Sequence, residues 1–76
     1  MNAVRRKQLS KILKELEDLK ERVEFLRDEE QEALENIPEN LQGSERYEAA
    51  ESAVDSLDFA TDALDEAISN IEESIE

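Results

Sequence analysis

The chain has 76 residues, with 22 acids against 9 bases, a formal net charge of −13, and neither Cys nor His. That composition excludes disulfide staples, thiolate zinc sites and histidine-based catalysis. A chain this short rarely builds a core worth more than roughly 3–5 kcal/mol without a staple, and self-association is the one left. One Gly, one Pro and 41% charged residues match long helices or coiled coils. Disorder competes at this net charge, but the regular apolar spacing below decides against it.

Residues 1–10 are basic and lack the apolar stretch of a signal peptide, and no apolar run approaches the ~18 residues a membrane span requires. The expectation is a single cytoplasmic domain over 1–76.

The first predicted element is a helix over about 3–36. Its apolar positions Leu9, Ile12, Leu16, Leu19, Val23, Leu26, Ala33 and Ile37 step alternately by three and four, with Glu30 on one rung, which is the spacing of a heptad seam. Leu13 and Leu34 widen the stripe on one side. Glu30 lies in a very acidic stretch, so its plainer reading is a side chain reaching solvent.

A turn is predicted over 37–44. Pro38 disfavours helical geometry at Ile37 and lacks a backbone donor, Gly43 offers a conformation other residues avoid, and Ser44 suits an N-cap. The second helix, over about 45–75, carries its seam on Tyr47, Ala50, Val54, Leu57, Thr61, Leu64, Ile68, Ile71 and Ile75. Glu45 and Glu48 favour the positive end of its dipole. Thr61 is the polar exception, a candidate device for fixing register or oligomeric state.

A short turn makes the helices antiparallel, so residues whose numbers sum to about 84 face each other. Apolar rungs then meet along the whole rod: Leu26 faces Leu57, Leu19 faces Leu64, Leu16 faces Ile68 and Ile12 faces Ile71. The basic start, Arg5 to Lys14, lies beside the acidic finish, Glu72 to Glu76. The fold class is all-α, an antiparallel two-helix hairpin.

Ala53, Ala60 and Ala67 flank the second seam at heptad intervals, and together with Leu13 and Leu34 they make the apolar face wider than two helices need. A wide face suits a four-helix bundle, so the hairpin is expected to form a homodimer through Leu13, Leu16, Leu19, Leu57, Ala60, Leu64, Ala67 and Ile68. The alternative is a monomer with Ala chosen for helix propensity.

Residues 44–76 hold 11 acids and one base, against 11 acids and 8 bases in residues 1–43. Glu51, Asp55, Asp58, Asp62 and Asp65 step by four and three, placing a carboxylate every ~5 Å along one face at the helical rise. Such a row resembles a phosphate strand, so these residues are the candidate contact for a basic protein partner, with DNA mimicry the sharp form. The plain reading is a solvated helix face. Phe25 and Phe59 lie off the seam at one height, either as a docking spot or as lone surface aromatics.

Direct nucleic-acid binding is disfavoured by charge and by the lack of aromatic–basic interleaving. No catalytic residue, cofactor or small-molecule substrate is expected, because exposed aspartates on a rod form no concave site. No metal site is expected either, as the chain has neither an EF-hand pattern nor a Glu-x-x-His motif.

Three segments, Asp28-Glu-Glu-Gln-Glu32, Asn36-Ile-Pro-Glu-Asn-Leu-Gln42 and Ser44-Glu-Arg-Tyr-Glu48 with the Ala-rich acidic helix it opens, resemble small acidic hairpin proteins of phages and prophages of Gram-positive bacteria. That family is mostly uncharacterised. The resemblance implies a phage-derived origin and an accessory or anti-defence role. The resulting expectation is an acidic binding module, with a purely structural assembly protein as the alternative.

Overall fold

The computed structural model describes residues 1–76 as two long helices, α1 (Ala3–Glu35) and α2 (Glu45–Ile75), packed against each other. The molecule is a rod of 59 × 15 × 13 Å. Both helices begin on a side-chain cap. The Asn2 carboxamide oxygen accepts from the Arg5 N–H at 2.8 Å. The Ser44 hydroxyl accepts from the Tyr47 N–H at 3.2 Å and donates to the Leu41 carbonyl at 2.7 Å, tying the start of α2 to the turn.

The helix boundaries agree with expectation to within one or two residues, but the turn differs in detail. Asn36 closes α1 in a right-handed conformation, and Pro38 then leads into a single 3-10 turn, Glu39–Leu41. No residue, Gly43 included, has a positive φ, so the left-handed conformation expected of Gly43 is not used. The 3-10 turn reverses the chain instead, through bonds such as Leu41 N–H to the Pro38 carbonyl at 2.9 Å.

The seam of α2 lies where the spacing put it. Val54, Thr61 and Ile68 are buried, and Tyr47, Ala50, Leu57, Leu64, Ile71 and Ile75 are half-buried. On α1 the expectation is half right. Leu9, Leu16, Val23, Glu30 and Ile37 turn inward, but the rungs between them are Leu13, Lys20, Arg27 and Leu34. Ile12, Leu19 and Leu26 stay 44%, 46% and 58% exposed, and Ala33 is exposed as well. The helix is rotated by about one seam position because the long stems of Lys20 and Arg27 cover apolar surface while their heads reach carboxylates on α2. Glu30 is half-buried, so it does not simply point to solvent.

Thr61 is 4% exposed, and its hydroxyl donates to the Leu57 carbonyl in its own helix. Satisfied locally, it asks nothing of a partner chain, which removes the reason for reading it as a register device.

Only four side chains are buried, and none is below 2% exposure. The few enclosed residues therefore matter disproportionately. Ile68→Ala is expected to destabilise the hairpin by about 2–5 kcal/mol, whereas Phe59→Ala, at an exposed position, changes stability by less than about 0.5 kcal/mol. Chemical denaturation followed by circular dichroism at one protein concentration checks both.

Candidate functional site: two unlike flanks of the rod

The seam divides the hairpin into two long sides. On one side, Lys20 pairs with Asp65 across the helices and with Glu24 at 3.3 Å along its own helix. One turn-pair further on, Arg27 bonds Asp58 at 3.2 Å and Asp28 at 3.0 Å. In both cross-helix pairs the residue numbers add to about 85, within one residue of the predicted register. The Lys20 ammonium is raised above the ordinary lysine value, first by its hydrogen bond to Asp65 and then by that to Glu24. The Arg27 guanidinium is raised chiefly by its hydrogen bond to Asp28. These are solvent-facing pairs, so their service is orientation more than stability.

This arrangement splits the expected carboxylate row. Glu51, Asp55 and Asp62 are exposed and have no cation within 4 Å, whereas Asp58 and Asp65 are bound to α1. The free carboxylates, joined by Glu48 one turn before Glu51 and by Glu66 near the far end, form the outer face of α2. The basic start and acidic finish make no ion pair. All four ion pairs in the rod involve Lys20 or Arg27, at mid-length.

The opposite side of the seam carries a central apolar band, bordered on α1 by the exposed Glu15, Arg22 and Glu29. In an antiparallel pair, residues one position before the inward rungs of each helix line the same side. The row nearest the seam is Ile12, Leu19, Leu26 and Ala33 on α1, with Arg46, Ala53, Ala60 and Ala67 on α2. Beyond that alanine row, α2 continues with Ala49, Ser56 and Ala63, all exposed. A large-residue ridge thus lies beside a small-residue shelf. At its turn end, an open groove of about 670 Å³ is lined by Ala33, Ile37, Pro38, Leu41, Arg46 and Ala50, among others.

The residues expected to mediate self-association separate accordingly. Leu13, Leu16, Leu57, Leu64 and Ile68 are consumed by the hairpin's own seam, because α1 turns its Leu13 edge inward. Leu19 and Ala60 remain exposed on the flank, and Ala67 is half-buried at its edge. Ile12 and Leu26 join them, and assigning them to the seam had hidden this. Phe25 and Phe59 are both exposed. Each falls midway between two seam rungs of its helix, on the pole facing away from the seam, so the two point out of opposite sides of the hairpin and form no single patch.

No three carboxylates converge into a group that would hold a metal ion, and no helix is long and apolar enough to cross a membrane. No protein family, curated protein or solved structure matches the chain.

The raised Lys20 value has a definite sign. A cation whose folded value lies above its unfolded one stabilises fully below the unfolded value, 10.5 for lysine, and that stabilisation disappears as pH rises through the folded value. Lys20→Met keeps the aliphatic stem and removes the charge. Melting temperatures of wild type and K20M are expected to differ at pH 9, and the difference to shrink as pH is raised beyond the ordinary lysine value, while both remain helical at neutral pH.

Proposed function

We propose that this chain is a non-catalytic interaction module of phage type that works as a pair of hairpins. The apolar flank binds a second copy, giving a dimeric four-helix bundle, and the carboxylate flank of α2 is turned outward to a basic partner surface. The observation that carries this reading is the lateral segregation of the rod. Ile12, Leu19 and Leu26 stand about half exposed on one side, while Lys20 and Arg27 reach their carboxylate partners on the other.

Area supports the second copy. The chain exposes 5943 Å². A compact monomer of 8.7 kDa exposes roughly 4,700 Å², so the excess is roughly 1,200 Å². A standard interface removes about 800 Å² per partner, well within that excess. Moving the remaining exposed surface of three large aliphatic side chains out of water contributes about 1 kcal/mol each.

The outward flank supports the basic partner. Between Glu48 and Glu76, α2 has acids and no base. Mimicry of a nucleic-acid strand, blocking a host nucleic-acid-binding or defence protein, is the sharpest form of this proposal. Because Asp58 and Asp65 are engaged by α1, the contact falls on Glu48, Glu51, Asp55 and Asp62. The exposed apolar flank also favours a second reading, in which self-association alone is the function and the chain is an assembly protein.

Salt separates the two roles. With −13 on each copy, added salt is expected to strengthen dimerisation, seen as a shift toward twice 8.7 kDa in sedimentation velocity, and to weaken capture of a basic protein from bacterial lysate. Asp55→Asn with Asp62→Asn abolishes that capture and leaves the sedimentation unchanged, and duplex DNA competes with it if the partner uses a DNA-binding surface. A monomer at every salt concentration and protein loading overturns the dimer. Capture insensitive to both salt and the double substitution overturns the acidic contact.

A further inference from the structure

A two-fold axis leaves two ways for the hairpin to meet a copy of itself through the apolar flank. With the axis along the rod, both turns lie at one end and α1 of each chain packs on α2 of the other. With the axis across the rod, one copy is reversed and each helix packs antiparallel on its own counterpart. The first sets leucine over alanine. The second sets leucine on leucine and alanine on alanine, and a slight tilt of each hairpin makes the α1 contact the wider one, within the usual range of about 8–10 Å. Shape admits both, and charge decides between them.

Residues 28–48, around the turn, hold eight acids against Arg46, whereas residues 1–14 hold five bases and no acid. Of all these charges only Asp28 is ion-paired within the chain. An axis along the rod would set the two acidic turns side by side. An axis across it lays each turn against the basic start of the other copy. The border of the apolar band points the same way. Glu15 and Arg22, on the outer edge of α1, are exposed and have no ion-pair partner. With the axis along the rod they would face the uncharged Asn70 and Ala63 of the second copy. With the axis across it they face each other.

Resting on the dimer proposed above, we infer that α1 of each chain packs antiparallel on α1 of the other, with the axis beside Leu19, and that Glu15 and Arg22 are the residues by which one copy recognises the other. Facing residues of α1 then have numbers that sum to about 38, which keeps the seven-residue spacing in step. Leu19 meets Leu19, Ile12 meets Leu26 of the second copy, and Glu15 reaches its Arg22, each contact occurring twice. Arg5 falls over Ala33 of the second copy, at the turn-end groove whose half-buried Glu30 has no cation of its own. Within the hairpin Leu19 is level with Ala67, so the same axis brings Ala67 against Ala67 and Ala60 against Ser74, with Ala63 against Asn70 outside them. The two acidic helices thus pass each other through uncharged side chains, and their free carboxylates stay on the outer faces of the bundle.

A charge swap reads this arrangement. Glu15→Arg sets base against base in both reciprocal contacts, and Arg22→Glu sets acid against acid. Each variant alone is expected to weaken dimerisation about tenfold or more by sedimentation velocity, and an equimolar mixture to restore it, with helicity by circular dichroism unchanged. Glu15→Arg also makes each chain less negative, so weakening there cannot come from net charge. The chain has no cysteine, so disulfides give a second readout. Under mild oxidation Leu19→Cys is expected to link to itself. Leu26→Cys is expected to link to Ile12→Cys but not to itself, since the two Leu26 positions lie about 21 Å apart along the rod. Leu26→Cys mixed with Ala60→Cys, which meet only with the turns at one end, is expected to give no link. A link in that last mixture, a swap that neither weakens nor restores the dimer, or an unlinked Leu19→Cys dimer overturns this arrangement and leaves the dimer standing. A monomer by sedimentation of the unsubstituted protein removes both.

Discussion

Lys20 and Arg27 occupy inward rungs of α1 that hydrophobicity alone would assign to leucine. Their aliphatic stems lie over the seam and their heads cross to Asp65 and Asp58, so the two cations act as rotational stops for α1. With α1 held in that setting, Leu13 and Leu34 turn inward, and Ile12, Leu19 and Leu26 are carried round to the flank. The charged side, the apolar side and the division of the α2 carboxylates into bound and free groups all follow from this one rotation. A hairpin selected only for its own burial would rotate the other way and cover its isoleucine and leucines. The setting observed leaves them at the surface.

Electrostatics explains why the helices depend on their packing. α1 has no acid in its first turn and neither helix has a base in its last, so the dipole of α1 is uncompensated at both ends and that of α2 at its C-terminus. Capping by Asn2 and Ser44 holds the starts, and the Arg6 guanidinium donates to the Met1 carbonyl at 2.7 Å. Near the turn, carboxylates crowd with little relief beyond local bonds such as that from the Gln31 carboxamide to Glu35. The seam therefore works against a repulsive background, and its hydrophobic content has to be used economically.

Much of this was legible in the sequence. Nine rungs of α2, the Ser44 cap, the break at Pro38 and the antiparallel register could be read from spacing and turn chemistry. The rotation of α1 could not, because Leu9, Leu16, Val23 and Ile37 belong equally to two seams. One of these is completed by Ile12, Leu19 and Leu26 and the other by Leu13 and Leu34. Scoring apolar residues favours the first. The signal for the second was polar: Lys20 and Arg27 are seven residues apart, and their register partners Leu64 and Leu57 are each followed by an aspartate. The carboxylate row was visible for the same reason that it was incomplete, since spacing reveals which acids share a face but not which of them a neighbouring helix has claimed.

The loop between the helices carries one more consequence. Its backbone uses no left-handed residue, and a Cβ built at Gly43 meets nothing within 4 Å. Closure rests on Pro38, the 3-10 turn and the Ser44 hydroxyl, so no special chemistry is demanded at the tip. Each doubling of loop length costs only about 0.6 kcal/mol of closure entropy. The tip is thus the place where the chain can accept extra sequence, such as a recognition peptide, a tether or a whole inserted domain, while the two helices keep their grip on each other.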